Sequence, residues 1–390
     1  MKSSPHKPRV LLATCGSWYL CDTAKAFERR DALAGLWISD ANKVGISGQN
    51  YRRAWPFHLA MKPFYHLAPQ NIIEKAFYAM LPFWREWIIR QTFPECSVVQ
   101  GIMGYCTELF DHADRQGGKI LKVVDCQNSH PTSYRGYWQR ELDLWCPGKK
   151  VPIPGWMFAR MNRELERADV VLCPSDFVRD TMVTNGIPPQ RCFVSHFGVN
   201  NDLFKRRLPQ LPVTPRFISV GTVCVRKGHQ YLFRAFEKVS RVLPDAELVC
   251  VGGYKDDFAK ERGRWHGTFT QYDKLSHPEI AELLRCSTAF LLPSLEEGFA
   301  RVISEAMAVG LPIIASYESG ASTVVQDGRE GYIISPQDID ALADAMIKVA
   351  TDDQLNNGMG AACYVKGSSS NTWQDYGDRL LAEYQHRLEL

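Results

Sequence analysis

Short apolar runs alternate along the chain with longer amphipathic stretches. Val10 to Thr14, Leu33 to Ser39, Val98 to Gly101 and Ile120 to Val124 are such runs in the first half. Phe217 to Val220, Leu248 to Gly253, Ala289 to Leu292 and Leu311 to Ala315 repeat the pattern in the second. Runs of this kind predict strands buried on both faces, as in parallel sheets. The stretches between them predict helices over Asp22 to Arg30, Thr107 to Gln116, Asp176 to Asn185, Gln230 to Leu243 and Ala341 to Val349. Strand-helix alternation of this length predicts an α/β protein. The 390 residues exceed what one hydrophobic core holds, about 250–300, so two domains are expected. Asn201 to Pro215, rich in proline and charge, reads as the linker.

Segment 40–95 breaks the pattern. Trp55, Phe57, Phe64, Tyr65, Phe77, Tyr78, Phe83, Trp84 and Trp87 are interleaved there with Arg52, Arg53, Lys62, Lys75, Arg85 and Arg90. It is too charged to span a bilayer. It suits an anionic membrane surface or a groove for a lipid-linked acceptor, or else a helical core segment with solvated arginines.

Chemistry concentrates in Ser287 to Ser316, read as strand, loop, helix and strand. Glu297 stands in the loop before the helix and Glu305 inside it, amid Val302, Ile303, Ala306, Met307 and Val309. An ionised carboxylate in such company needs partners. Gly298 permits close backbone approach, and the helix N-terminus behind it offers free N–H groups to an anion. A site that holds a phosphate beside two hydroxyl-accepting carboxylates suits a sugar nucleotide. The plainer alternative puts Glu297 on the helix dipole and Glu305 in solvent. Arg226-Lys227-Gly228 follows a strand and precedes a helix, and His130 follows another strand in a polar loop, at the edge where α/β proteins bind ligands. Gly16 ends the first strand, but Gly-x-Gly-x-x-Gly is missing there, so a dinucleotide reading is weak.

Composition narrows the class. Hydrophobic residues make up 45% and charged ones 23%, ordinary for a globular protein, and a net charge of +3 gives no argument for nucleic acid. No apolar run approaches the ~20 residues of a membrane span, and the N-terminus enters a strand rather than a signal peptide. Twelve scattered cysteines without a Cys-x-x-Cys pair fit a reducing cytoplasm, with peripheral attachment to the inner membrane face as an option. Asp338-Ile339-Asp340 reads as a helix cap, and no metal site is expected.

Pro293-Ser294-Leu295-Glu296-Glu297-Gly298-Phe299-Ala300, Glu305-Ala306-Met307-Ala308 and Gly310-Leu311-Pro312 together resemble the signature of family 4 retaining glycosyltransferases. Lys227-Gly228, the Ala168 to Ser175 segment, Gly198-Val199-Asn200 and Asp327-Gly328 are similar to further motifs of that family. Ala300 stands where the family usually has glycine, and Thr222 where it usually has arginine. The resemblance implies a GT-B fold of two facing Rossmann-like domains. An acceptor-side domain would span 1–205, with the C-terminal helix 372–390 packing back on it, and a donor-binding domain 206–371. It implies a hexosyltransferase-type enzyme that uses a nucleotide-diphosphate sugar, needs no cofactor or metal, retains configuration, and serves a glycan or lipid-linked acceptor in polysaccharide biosynthesis. Glu297, Lys227, Arg226 and His130 would carry catalysis. Glu305 would bind the ribose, Gly298, Phe299 and Ala300 would offer backbone N–H groups, Gly16 would lie near the diphosphate, and Thr268 would lie near the base. A phosphorylase, an epimerase or a non-catalytic sugar-nucleotide-binding subunit are the rival readings.

Overall fold

The computed structural model describes all residues except 1–6, 17–18, 42–44, 68–69, 207–213, 256–257, 259–262, 266 and 370. Ser17, His266 and the middle of the expected linker therefore lie outside the described residues.

The first half contains β1 (Val10–Thr14), α1 (Leu20–Arg29), β2 (Leu33–Ile38), β3 (Tyr51–Arg53), α2 (Trp55–Leu67), α3 (Gln70–Ile89), β4 (Val98–Ile102), α4 (Thr107–Arg115), β5 (Leu121–Asp125), α5 (Pro131–Trp145), α6 (Gly155–Arg167), β6 (Val170–Cys173), α7 (Asp176–Thr184) and β7 (Cys192–Val194). The second half follows with β8 (Arg216–Val220), α8 (His229–Val242), β9 (Glu247–Val251), β10 (Thr270–Tyr272), α9 (His277–Arg285), β11 (Ala289–Leu292), α10 (Arg301–Ala308), β12 (Ile313–Ser316), β13 (Gly331–Ile334), α11 (Ile339–Thr351), α12 (Asp353–Ser368) and α13 (Trp373–Glu389).

The strands form two sheets, ordered β3-β2-β1-β4-β5-β6-β7 and β10-β9-β8-β11-β12-β13. Every strand pairing within them is parallel. Strand order reverses beside β1 in one sheet and beside β8 in the other, which is where doubly wound sheets open a crevice at their carboxyl ends. The central strands β1, β4, β11 and β12 are buried along their whole length, which accounts for their largely apolar spelling.

Local signals set the helix ends. The Ser175 hydroxyl caps α7 by accepting from Val178 N, and the Asp338 carboxylate caps α11 by accepting from Ala341 N. β12 begins at Ile313 rather than Leu311, since Pro312 has no N–H for the ladder.

α13 returns to the first sheet's side of the molecule. Its Asp378 pairs with Arg30, the residue that ends α1, at 2.6 Å, and the Tyr384 ring meets Phe27 edge-on at 6.5 Å. α5 bridges the halves. Its Tyr134, Trp138 and Leu142 are buried in one cluster with Val225, Phe233 and Leu291 from the second half.

Segment 40–95 is mostly α2 and α3. Phe57, Met61, Leu81, Trp84 and Ile88 are buried, whereas Trp55, Leu59, Ile72, Phe83 and Ile89 are exposed. The segment thus contributes to the core through one set of aromatics and leaves another set on the surface. Among the described residues, no helix is long and apolar enough to cross a membrane.

Candidate active site

A cavity of some 520 Å³ opens at the carboxyl ends of the two sheets. The first half contributes Tyr19, Gln127, Asn128, Tyr134 and Phe197 to its lining. The second contributes Arg226, Lys227, His277, Glu297, Phe299, Ala300, Arg301 and Glu305, among others.

Arg226 and Lys227 lie in a short 3-10 turn between β8 and α8. Gly221, at φ 141°, leaves the space that Lys227 fills: a Cβ there would sit 2.8 Å from Nζ. The Lys227 ammonium contacts the Glu297 carboxylate at 2.9 Å, and Arg226 Nη1 contacts the same carboxylate at 3.3 Å. Burial by itself raises the Glu297 pKa, but the two cations more than reverse this and hold it down to about 2. Glu297 is ionised at any physiological pH.

Glu296 completes this arrangement. It is fully buried and accepts from the backbone N–H and the hydroxyl of Ser129, each at 3.0 Å. Its other oxygen accepts from Arg226 Nη1 at 3.1 Å. Burial raises its pKa, and Arg226 and Ser129 oppose the rise. Glu296 was not anticipated as a site residue from sequence. Its signal was the doubled glutamate beside a buried strand, in a loop too apolar to solvate two carboxylates.

Gly298 faces protein. A Cβ on it would lie 1.8 Å from the Gln127 carbonyl oxygen of the first half. Its own carbonyl accepts a hydrogen bond from the Ser175 hydroxyl. The loop that carries Glu296 and Glu297 is therefore clamped against the opposite half on two sides.

α10 starts after Ala300, whose methyl side chain supplies no cap. Ala300, Arg301 and Val302, the first residues at this end, all line the cavity. Its leading N–H groups and positive dipole end border the space beside Lys227 and Arg226. Glu305, one turn further on, also lines it. Its carboxylate has no hydrogen bond or ion pair among the described residues. Burial raises its pKa, tempered by Arg301 and His277. Glu305 thus faces the cavity with acceptor capacity to spare, instead of facing open solvent.

His130 is not in an open loop. It is the buried N-cap of α5, where Nδ1 accepts from Thr132 N and its own N–H donates to the Thr181 hydroxyl. Burial lowers its pKa to about 4, so the ring is neutral. It adjoins Ser129 but is not part of the cavity wall. Thr268 likewise lies off the wall, with its hydroxyl donating to the Trp265 carbonyl at 2.7 Å. Gly16 follows β1 and donates from N to the Ser39 hydroxyl at 2.8 Å. Phe299 lines the cavity and packs on Phe197 of the first half, ring centroids 6.2 Å apart. Tyr19, Tyr134, His277 and Arg301 are wall residues that the sequence did not single out, because three reach the cavity from elements distant in the chain and Arg301 looks like a solvated helix charge.

Tyr19 has a buried support. Its hydroxyl donates to Asp125, which also accepts from Gln100 Nε2 at 2.7 Å, and Gln100 accepts from Tyr384 of α13 at 2.9 Å. Burial pushes the Asp125 pKa up to about 7 against these donors.

Residues 214–352 match the family model described as "Glycosyl transferases group 1". The matched stretch lies in the second half of the chain. It contains Arg226, Lys227, the Glu296-Glu297 pair and Glu305. A curated relative, the D-inositol 3-phosphate glycosyltransferase of Mycobacterium tuberculosis, is 27% identical over 259 residues, covering 61% of this chain and 52% of its own length. The chain thus spans about half the length of the curated relatives it matches. Among solved structures, sucrose-phosphate synthase from Thermosynechococcus elongatus aligns with a TM-score of 0.74 and 17% identity over 98% of this chain and 100% of its own. Anabaena HepE in complex with UDP and glucose aligns with a TM-score of 0.65 and 16% identity over 97% and 99% of the two chains. These likenesses, with the two parallel sheets, make the fold GT-B: two Rossmann-like halves around a cleft.

Proposed function

We propose that this protein transfers a sugar from a nucleotide-diphosphate donor to an acceptor hydroxyl, with retention of configuration and without a metal. The observation that carries this reading is the meeting of two cations, an uncapped helix N-terminus and an unpartnered carboxylate on one cavity wall. HepE, which shares the fold, was solved in complex with UDP and glucose, and this agrees with a nucleotide sugar here.

In this reading the diphosphate lies against the N-terminus of α10, with Lys227 and Arg226 beside it. Negative charge grows on the leaving phosphate as the glycosidic bond breaks, and these donors stabilise it where it develops. Arg226 supplies the positive charge that Thr222 lacks. Glu305 accepts from the ribose hydroxyls. Glu297 accepts from sugar hydroxyls, and its pairing with Lys227 and Arg226 keeps it anionic for that task. Attack from the face of the leaving group, with a phosphate oxygen taking the acceptor proton, gives retention. Ser129, Gln127 and Ser175 hold the donor loop against the first domain, so a closed cleft excludes water from the transfer.

Peripheral membrane attachment through residues 50–93 belongs to the same proposal, supported by exposed Trp55, Leu59 and Phe83 next to arginines. Flotation with anionic liposomes should carry the protein upward at low salt, and failure to float contradicts it.

The test of the activity is a panel of nucleotide sugars incubated in EDTA with alkyl glycoside and oligosaccharide acceptors. Release of one nucleoside diphosphate together with an axial-or-equatorial linkage matching the donor, read by NMR, is expected. Release that requires metal, or an inverted linkage, contradicts the corresponding part of the mechanism.

A further inference from the structure

Beside the donor cavity lies a second pocket of about 300 Å³, and Tyr134 lines both. Its walls include Ile73, Phe77 and Tyr78 from α3, Tyr105 before α4, Trp138 from α5 and Ile153 from the following loop. The charged groups in the lining are Glu74 and Lys255, which pair with each other at 3.0 Å across the two domains. Lys255 also stands 5.6 Å from the Trp138 ring centroid. The Trp138 indole N–H is buried and has no hydrogen-bond partner among the described residues.

We infer that this pocket receives the apolar arm of the acceptor, an alkyl or prenyl chain, while the acceptor's hydroxyl head lies at Tyr134 facing the donor. This rests on the proposed transferase activity and specifies its substrate class. A sugar-binding subsite needs several free carboxylates or amides for its hydroxyls. Here the two charged side chains satisfy each other, and the remaining wall is aromatic and aliphatic, with the phenol hydroxyls of Tyr78, Tyr105 and Tyr134 as its other polar side-chain groups besides the Trp138 N–H. The unpaired N–H of Trp138 suits the single ether or phosphate oxygen that joins a chain to its polar head. The pocket is also continuous with an exposed apolar rim. The Tyr78 ring meets the Trp156 ring at 6.2 Å, Trp156 is 50% exposed, and Ile72, next to wall residue Ile73, is 44% exposed. A chain longer than the pocket therefore has an apolar exit towards the exposed face of α3 rather than an abrupt meeting with water.

The experiment titrates the full chain, without donor, with hexyl, octyl and decyl β-D-glucosides below their micellar concentrations and with free glucose, following tryptophan fluorescence. In parallel, the same samples are titrated with nucleoside diphosphates, which reports the donor site independently. The expected result is no binding of glucose and a Kd that falls several-fold with each two carbons, towards the limit of about fourfold per methylene set by apolar transfer. Ile73→Asp, at the half-buried wall, and Trp156→Ala, at the exposed rim, should each weaken decyl glucoside by fivefold or more. Trp156 is exposed, so that variant folds even if Ile73→Asp does not. Affinity independent of chain length, glucose binding as tightly as decyl glucoside, or unchanged decyl affinity in Trp156→Ala overturns the assignment. Loss of nucleoside diphosphate binding with chain-length dependence intact would instead count against the donor site alone.

Discussion

Arg226 donates from Nη1 to Glu296 at 3.1 Å, and Glu296 spends its second oxygen on Ser129 of the opposite domain. The cation proposed to face the donor phosphates is thus held by a carboxylate that also ties the domains together. Glu296→Gln removes the charge and keeps the shape. Arg226 retains Glu297, so the loss should be smaller than the ~3–5 kcal/mol of a fully orphaned buried charge. Turnover should fall about 10- to 100-fold, and Ser129→Ala should act in the same direction more weakly. A double-mutant cycle between Ser129→Ala and Arg226→Lys measures the link; full additivity would show that Glu296 does not transmit it.

Glu305 predicts opposite effects on stability and binding. Its carboxylate has no protein partner among the described residues, and burial raises its pKa. Glu305→Gln should leave the unliganded protein as stable or more stable by about 1 kcal/mol, since an unsatisfied charged group is costly. The same change should cut the thermal shift produced by a nucleoside diphosphate. Urea unfolding with and without the nucleotide tests both signs.

Gly298→Ala tests the clamp. The new Cβ would sit 1.8 Å from the Gln127 carbonyl oxygen, backbone against backbone, so the loop or the domain must move. A cost of about 1–3 kcal/mol is expected, with a more than tenfold loss of turnover because Glu297 moves with the loop. Normal stability and activity in this variant would mean that the clamp is dispensable.

Asp125 gives a pH signature. Its folded pKa, near 7, lies above the ordinary carboxylate value of 3.8. Between these values the unfolded chain releases a proton that the folded chain keeps. The contribution of Asp125 is therefore complete below about pH 4 and eroded as pH rises towards 7. Asp125→Asn can still accept from Gln100 and can donate to the Tyr19 oxygen, and it does not titrate. The stability of the wild type minus that of Asp125→Asn should fall by up to about 1.4 kcal/mol per pH unit between pH 5 and 6.5, measured by urea unfolding. A flat difference would show that the carboxyl is ionised throughout that range.

Much of the fold was legible because buried parallel strands spell themselves as apolar runs. β1, β8 and β11 were placed within a residue or two for this reason. Edge strands such as β3 and β10 were not, since Tyr51–Arg53 and Thr270–Tyr272 are short and partly exposed and carry no such pattern. In the site, Glu305 was legible as a carboxylate amid apolar neighbours, Glu297 from its loop before a helix, and Arg226 and Lys227 from their place between a strand and a helix. Glu296 was hidden by its neighbour, and its meaning lies in Ser129, 167 residues away. His130 was read from its position after β5, but the helix that begins at Pro131 turned it into a buried cap. Segment 40–95 divided between both readings because aromatic spelling does not distinguish the buried Trp84 from the exposed Trp55.

Calorimetric titration of UDP, GDP, ADP and dTDP into the wild type, Lys227→Ala and Glu305→Ala, all in EDTA, tests the central claim most directly. One nucleotide should bind the wild type, and each variant should bind it at least tenfold more weakly, the loss expected for a charge-assisted contact of about 1.5–3 kcal/mol. If none of the four binds, or if both variants bind as the wild type does, the cavity is not a nucleotide-sugar site.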